Sequence, residues 1–549
     1  MILLSILFAA GILKLNGIGS GEFAEYGIGI VGRHKALFQT AAAVIALAVL
    51  TVLLTSLKPG EKGGKEGGFN IAGLVRVTAG ILLIVITGAE LWANALSFWK
   101  GHSDHSQTLY MEYSEGMQKQ LSELRAVDSG YYRIAQDRTR YHYEDDLTSF
   151  LNDSLAQNYW SNAAYTSSPD NTQLSLMWRL GYRDEAGCIM VVRDPVIPSD
   201  SFLGVKYYLQ STPIRGLEPV EGVEPFNGRA VYRNPYALPM AFTYDGSKLP
   251  TMRYDKTFVY QNTLFSVLCG TETEIYTPLS WTYEKKDNLT YFNVYVPDGN
   301  YVAYGNLPWP EKMSGLMSIN GAEPFGYCRW TSPAVFMIRS RREQEKSTAS
   351  ESLQAIARRA KESSVEDGQS PHAGQESDVQ AKKAELQKAA ADYDQEVLAS
   401  LKTDSYADVR TVVFRSEKDV SFRDYQFYGL NLDALQEAVD TIRKGQVAEE
   451  DLTIENGHVT CSLQGKPGQS LCLLVPWSKG WQALRNGEPV HPDTVAGTMI
   501  TIPLVDGTNE IELTYQVPFL REGMYISAAA FGVLLIDILY RLLAGRKKK

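Results

Sequence analysis

Apolar and polar positions divide this chain into long uncharged runs near its ends and a mixed region between them. Residues 37–57, LFQTAAAVIALAVLTVLLTSL, carry no charge. At about 1.5 Å per residue, such a run crosses a hydrocarbon core as a helix. Residues 71–96 form a second run, with Arg76 and Glu90 near its two ends, and residues 524–544 form a third. The stretch 1–15, MILLSILFAAGILKL, is shorter. It has no positive charge ahead of its apolar part and no small-residue cleavage site after it. It therefore reads as a short or truncated membrane helix rather than a leader. Lys58, Lys62 and Lys65 lie in one loop, and Arg546, Lys547, Lys548 and Lys549 form the tail. Positive loops stay on the cytoplasmic side. The pattern thus predicts about four transmembrane helices, with residues 97–521 extracytoplasmic.

The middle region changes period several times. Residues 108–127 predict a helix, as do 172–181, closed by Gly181, and 263–270, closed by Gly270. Residues 131–137 and 204–210 predict strands. The segment 343–402 is rich in alanine, lysine and glutamate, and predicts a solvated helix over 379–401 tethered by a flexible stretch. Leu432, Leu435, Val439 and Ile442 then mark an amphipathic helix over 431–445, with Asn431 or Asp433 as its cap. HVTCSL, SLCLLVPW, TMITIPL and NEIELTYQV follow as strands. The pairs Asn486-Gly487 and Asp506-Gly507 read as hairpin turns. The fold class expected is a membrane-anchored α+β protein, its large β-rich extracytoplasmic region ending in a small β-sandwich. The expected divisions are a membrane region (1–96), an α+β domain (97–342), a charged helical or disordered insertion (343–402), a sandwich-like domain (403–521), a last span (522–544) and a basic tail (545–549).

Charge and chemistry narrow the function by exclusion. The net charge of −10 lacks the basic balance of a nucleic-acid binder. None of G-x-S-x-G, H-E-x-x-H or a phosphate loop is present, and the acidic groups Glu144-Asp145-Asp146 and Asp184-Glu185 read as solvated faces. The five cysteines show no zinc spacing, so neither metal nor cofactor is expected. Cys461 and Cys472 flank GKPG symmetrically. A hairpin turning there sets them opposite each other, either as a disulfide or as two buried thiols. Glu90 and Asn94 lie four apart on one helix face near the outer interface, beside Trp92 and Trp99. The strip VYRNPYALPM (231–240) carries Pro235 and Pro239, each fixing φ and removing a donor. It predicts a rigid extended segment that is not a central strand, anchored by Tyr232, Tyr236 and Leu238.

Several of these pieces stand in a recognisable order: ELWANAL (90–96), DSGYYRIAQD (128–137), LNDSLAQNYW (151–160), SDSFLGVKYYL (199–209), YRNPYALPMAF (232–242), QNTLFSVLCG (261–270), NLDALQEAVD (431–440) and VPWSKGWQALRNGEPV (475–490). In this the chain resembles the YfhO family of bacterial multispanning membrane proteins over roughly residues 90–549. The resemblance implies a bacterial plasma-membrane protein that glycosylates cell-envelope polymers such as lipoteichoic acid. It implies a polyprenyl-phosphate-linked sugar, membrane lipid and a teichoic-acid-like polymer as partners. Family members have a longer membrane block, with an acidic residue in its first outer loop, and Glu22 and Glu25 do not match that position by motif. The implied role is therefore a multispanning glycosyltransferase, a truncated form, or the half of one that works with a second multispanning subunit. The alternative is a non-catalytic protein that binds an envelope glycan or organises the membrane complex. Glycan surfaces combine aromatic faces with fixed polar groups, which makes Arg133, Asn158, Tyr159, Trp160 and Arg233 the candidate contacts.

Overall fold

The computed structural model describes, with short interruptions, residues 78–96, 107–140, 149–343, 373–400, 408–416 and 425–546. The chain divides into two compact units, Met1–Tyr110 and Met111–Lys549. In the first, the described residues between 78 and 96 are helical, and Ile84, Leu91 and Trp92 expose most of their surface. Glu90 and Asn94 lie outside the described residues, as do the apolar runs 1–15 and 37–57.

The second unit is β-rich. Its first sheet has the order Arg133–Gln136, Val205–Gln210, Ala230–Arg233, Glu218–Pro219, with the first pair parallel and the others antiparallel. The helix Gln107–Val127 covers one face of it. Tyr113, Met117, Leu121 and Leu124 recur at helical spacing and pack with Ile134, Tyr207, Leu209 and Val231. Tyr208 points to the opposite face, into the main core.

Two sandwiches follow. In one, Tyr276–Pro278, Gln426–Asn431, Tyr301–Asn306 and Val335–Ile338 form a sheet. It shares a core, through Phe427, Phe336 and Ile338, with Phe292, Val412 and Phe414 of a five-stranded sheet. In the other, a five-stranded sheet containing His458–Gly465 and Gly507–Tyr515 closes over a four-stranded one. The four-stranded sheet has the order Ala241–Tyr244, Ser470–Pro476, Met499–Pro503, Asp493–Val495.

These pairings revise the expected divisions. Asp408–Ser416 inserts between Leu289–Val296 and Ser314–Ile319, and Ala241–Tyr244 completes the last sandwich. Strand pairing therefore crosses the boundary placed at 402/403. The helix expected to be solvated, found as Ala373–Ser400, docks on a sheet face instead. Leu386 and Ala390 bury against Tyr291 and Val413, and Arg341 grips Asp394 through two bonds of 2.7 and 3.0 Å. Its apolar stripe is narrow, Leu386, Ala390 and Tyr393 on Tyr291, which is why composition outweighed it in the sequence.

Of the two alternatives for Cys461 and Cys472 the structure has the buried thiols, but it does not set them opposite each other. Cys461 sits opposite Leu452 and Ile511, and Cys472 opposite Phe242 and Thr501. Both are buried free thiols. GKPG carries the chain from one sheet of the sandwich to the other rather than closing a hairpin. Burial pushes the Cys461 thiol up to about 12 and raises that of Cys472 as well. Both thiols should accordingly resist alkylation in the folded protein and react on unfolding without added reductant. Failure of either thiol to react in the unfolded, unreduced protein would contradict this.

The proline strip divides in two. Val231–Arg233 does lie in an internal strand, contrary to expectation, because both prolines fall after it. Asn234 turns the chain there. Its buried side chain donates to Val205 O (3.0 Å) and Ser201 Oγ (3.2 Å), and accepts from Tyr236 N (3.1 Å). Tyr236 and Leu238 are buried, as expected.

The last helix, Leu520–Arg546, has 27 residues, many with exposed apolar side chains. Even so, among the described residues no helix is long and apolar enough to cross a membrane. Arg521 and Glu522 lie in the first turn of this one, and Asp537 is the single charged residue between 523 and 540.

Candidate functional site

A cleft of about 190 Å³ opens where the helix Gln107–Val127 ends. One wall is that helix end and the turn after it: Leu121, Arg125, Asp128, Ser129, Gly130, Tyr131. Asp128 shapes the turn, since its Oδ1 accepts from Gly130 N (3.0 Å). The other wall is Asn158-Tyr159-Trp160. Asn158 takes a left-handed φ of 56°, which asparagine tolerates better than most residues. Ile134 N donates to Trp160 O (2.8 Å), which fixes the wall beside the strand Arg133–Gln136. Arg125 Nη2 donates across the cleft to Asn158 O (2.5 Å). Tyr131 stacks on Trp160, with centroids 5.8 Å apart and planes 11° apart, and Trp160 keeps 40% of its surface exposed.

The charge at this site is fixed. Burial alone would raise the Asp128 carboxyl. The Lys206 ammonium, the Gly130 amide and the Tyr207 hydroxyl (2.7 Å) together hold it below the usual carboxylate range. Asp128 is therefore an ionised acceptor near neutral pH, not a proton donor.

Behind the cleft lies a second polar group. Asp153 Oδ2 accepts from Gln136 Nε2 (2.9 Å), Tyr113 OH (3.1 Å) and Tyr159 OH (3.1 Å). Arg229, almost wholly buried, donates to Gln136 Oε1. Burial raises the Asp153 carboxyl despite these donors. The network holds the Tyr159 ring in place from behind.

The structure thus brings together three of the five candidate contacts. Arg133 lies elsewhere, under the sheet, where it donates to Leu203 O and to Leu474 O (2.7 Å). Burial pushes it down to about 10. Arg233 is exposed, its Nε donating to Glu218 Oε2 (3.0 Å). Sequence reasoning missed Arg125, Asp128, Gly130 and Tyr131. The signal was there in RAVDSGYY, an Asx-type turn directly after a helix and ahead of two aromatics. Among the described residues, no cluster of three or more histidine, cysteine or acidic side chains could hold a metal ion.

A family model described as "Bacterial membrane protein YfhO" matches residues 23–299 and 379–527. The chain belongs to the YfhO family. No curated protein and no solved structure matches it. The YfhO match takes in both walls of the cleft, the network behind it and the whole last sandwich. It leaves out 300–378, which holds strands of the other sandwich and the start of the docked helix. Membership supports a membrane location for the chain.

Proposed function

We propose that this protein acts at the outer face of the bacterial plasma membrane in glycosylating a cell-envelope polymer of the lipoteichoic-acid type. In this reading residues 97–521 are extracytoplasmic, the apolar segments including Leu520–Arg546 hold the chain in the bilayer, and the cleft binds glycan. The observation that carries it is the cleft itself, within the family-matched residues. The edge of an aromatic pair, a free amide side chain, a guanidinium and an ionised acceptor line one opening the size of a sugar ring. Such a surface packs on apolar sugar faces and orders hydroxyls. The held charge of Asp128 argues against acid catalysis there and so supports binding as the role of the cleft. Any transfer from a polyprenyl-phosphate-linked sugar belongs to the membrane part or to a second multispanning subunit. That same feature favours the second reading, a non-catalytic protein that presents the envelope polymer to its complex.

Trp160→Ala should weaken binding of a teichoic-acid-type polymer by about tenfold, which corresponds to about 1.4 kcal/mol. Arg233→Ala, outside the cleft, should leave binding unchanged. Calorimetry on the full chain in detergent checks both. In cells, deleting the gene should remove sugar from the polymer. Polymer glycosylation that is unaltered in the deletion strain would sink the proposal.

A further inference from the structure

One family-ordered motif has no part in the cleft: VPWSKGW, residues 475–481. It forms a loop between the strands Ser470–Pro476 and Trp481–Arg485. The loop is pressed against the end of the last strand. Gln516 N donates to Gly480 O (2.9 Å), and Trp481 meets Tyr515 edge-on at 5.3 Å. A Cβ on Gly480 would lie 2.3 Å from Gln516 O, so only glycine allows this approach. The loop therefore sits at the foot of the sandwich, against Gln516, which precedes the first residue of the helix Leu520–Arg546 by four positions. At roughly 3.5 Å per residue, that is within about 14 Å of it.

The same foot is apolar and exposed. Val517, Phe519 and Leu520 expose more than half of their surfaces, and Phe519 the most at 82%. Phe519 also holds a left-handed φ of 61°, an unfavourable conformation for a bulky residue. Lys479, next to Gly480, and Arg521, next to Leu520, are exposed, as is the acidic Glu522 on the adjoining turn. Aromatic rings with basic residues at the root of an apolar helix are the pattern of a headgroup interface.

We propose that this foot is a membrane-seating surface. The loop 477–481 and the segment 517–521 rest on anionic phospholipid headgroups, with Lys479 and Arg521 supplying the charge and Phe519 the apolar wedge. This fixes which end of the sandwich faces the bilayer. It rests on the reading of Leu520–Arg546 as a membrane anchor.

Hydrogen exchange on the full chain in nanodiscs tests it. Exchange over 477–481 should be slower by about fivefold in phosphatidylglycerol discs than in phosphatidylcholine discs, the size expected for one basic residue near an anionic surface. Lys479→Glu, a surface change, should abolish that difference and leave the strands protected as before. Equal exchange in the two lipids, or a difference that survives Lys479→Glu, overturns the proposal while the anchor reading stands. Failure of the chain to enter either disc overturns both.

Discussion

Arg133→Met should lower the stability of the Met111–Lys549 unit by about 2–3 kcal/mol, read as a drop in melting temperature of the full chain in detergent. The guanidinium donates to two backbone carbonyls, Leu203 O and Leu474 O, which belong to segments far apart in the chain. Removing it leaves both acceptors without this donor, each bond to a charged group being worth about 1.5–3 kcal/mol. Relief from burying a charge offsets part of that, and methionine refills most of the volume. Arg133→Lys should rescue little, because one ammonium does not reproduce the planar fork that spans the two carbonyls. Arg233→Met is the comparison. Its ion pair with Glu218 is exposed, so the change should stay within about 0.5 kcal/mol. Equal effects of the two methionine variants would refute this assignment.

The second large effect is a pH dependence. Asp200 lies in the buried helix Ile197–Phe202 and accepts from Tyr182 OH (2.6 Å), Tyr208 OH (2.7 Å) and Asn162 Nδ2 (3.3 Å). No cation pairs with it among the described residues. Burial outweighs the three donors and pushes its carboxyl up to about 6. A carboxyl whose folded value lies above its unfolded value, near 4, stabilises the fold only while it is protonated. That stability is fully present below about pH 4 and is lost as pH rises through about 6. The whole span amounts to about 3 kcal/mol. Asp200→Asn keeps the shape and cannot ionise, so its melting temperature should be flatter than wild type between pH 5 and 7. A variant with the wild-type slope would show that other groups carry the titration.

The two arginines show what could be read in the sequence. Arg133 and Arg233 looked alike there, both polar residues near tyrosines at strand ends. Only tertiary packing separates them, since the carbonyl partner Leu474 lies 341 positions from Arg133. Local chemistry was legible wherever the cause was local. The helix Leu432–Arg443 is capped by Asn431, which accepts from Asp433 N and Ala434 N. Gly270 closes the helix Thr257–Cys269 at φ 70°. Asn486-Gly487 makes the hairpin between Trp481–Arg485 and Glu488–Val490. Asp506-Gly507 does not, because Met499–Pro503 and Gly507–Tyr515 lie in different sheets. A turn pair reverses the chain, but burial decides which strand receives it. The cleft was half legible for the same reason. The wall Asn158-Tyr159-Trp160 stood out by its side chains, whereas the opposite wall is assembled by a helix end and an Asx turn.

The strand Ala241–Tyr244 has a consequence for how the chain is made. Its strand partner is Ser470–Pro476, with one further bridge from Phe242 to Gln446, and Asp408–Ser416 fills the middle of a sheet begun at Ser280. Loops that long must close before their contacts form, which slows folding. An emerging chain therefore holds unfinished sheet edges until its last hundred residues arrive. The Met111–Lys549 unit should therefore complete late in synthesis, and a product stopped short of residue 470 would be left with open edges and drawn toward aggregation.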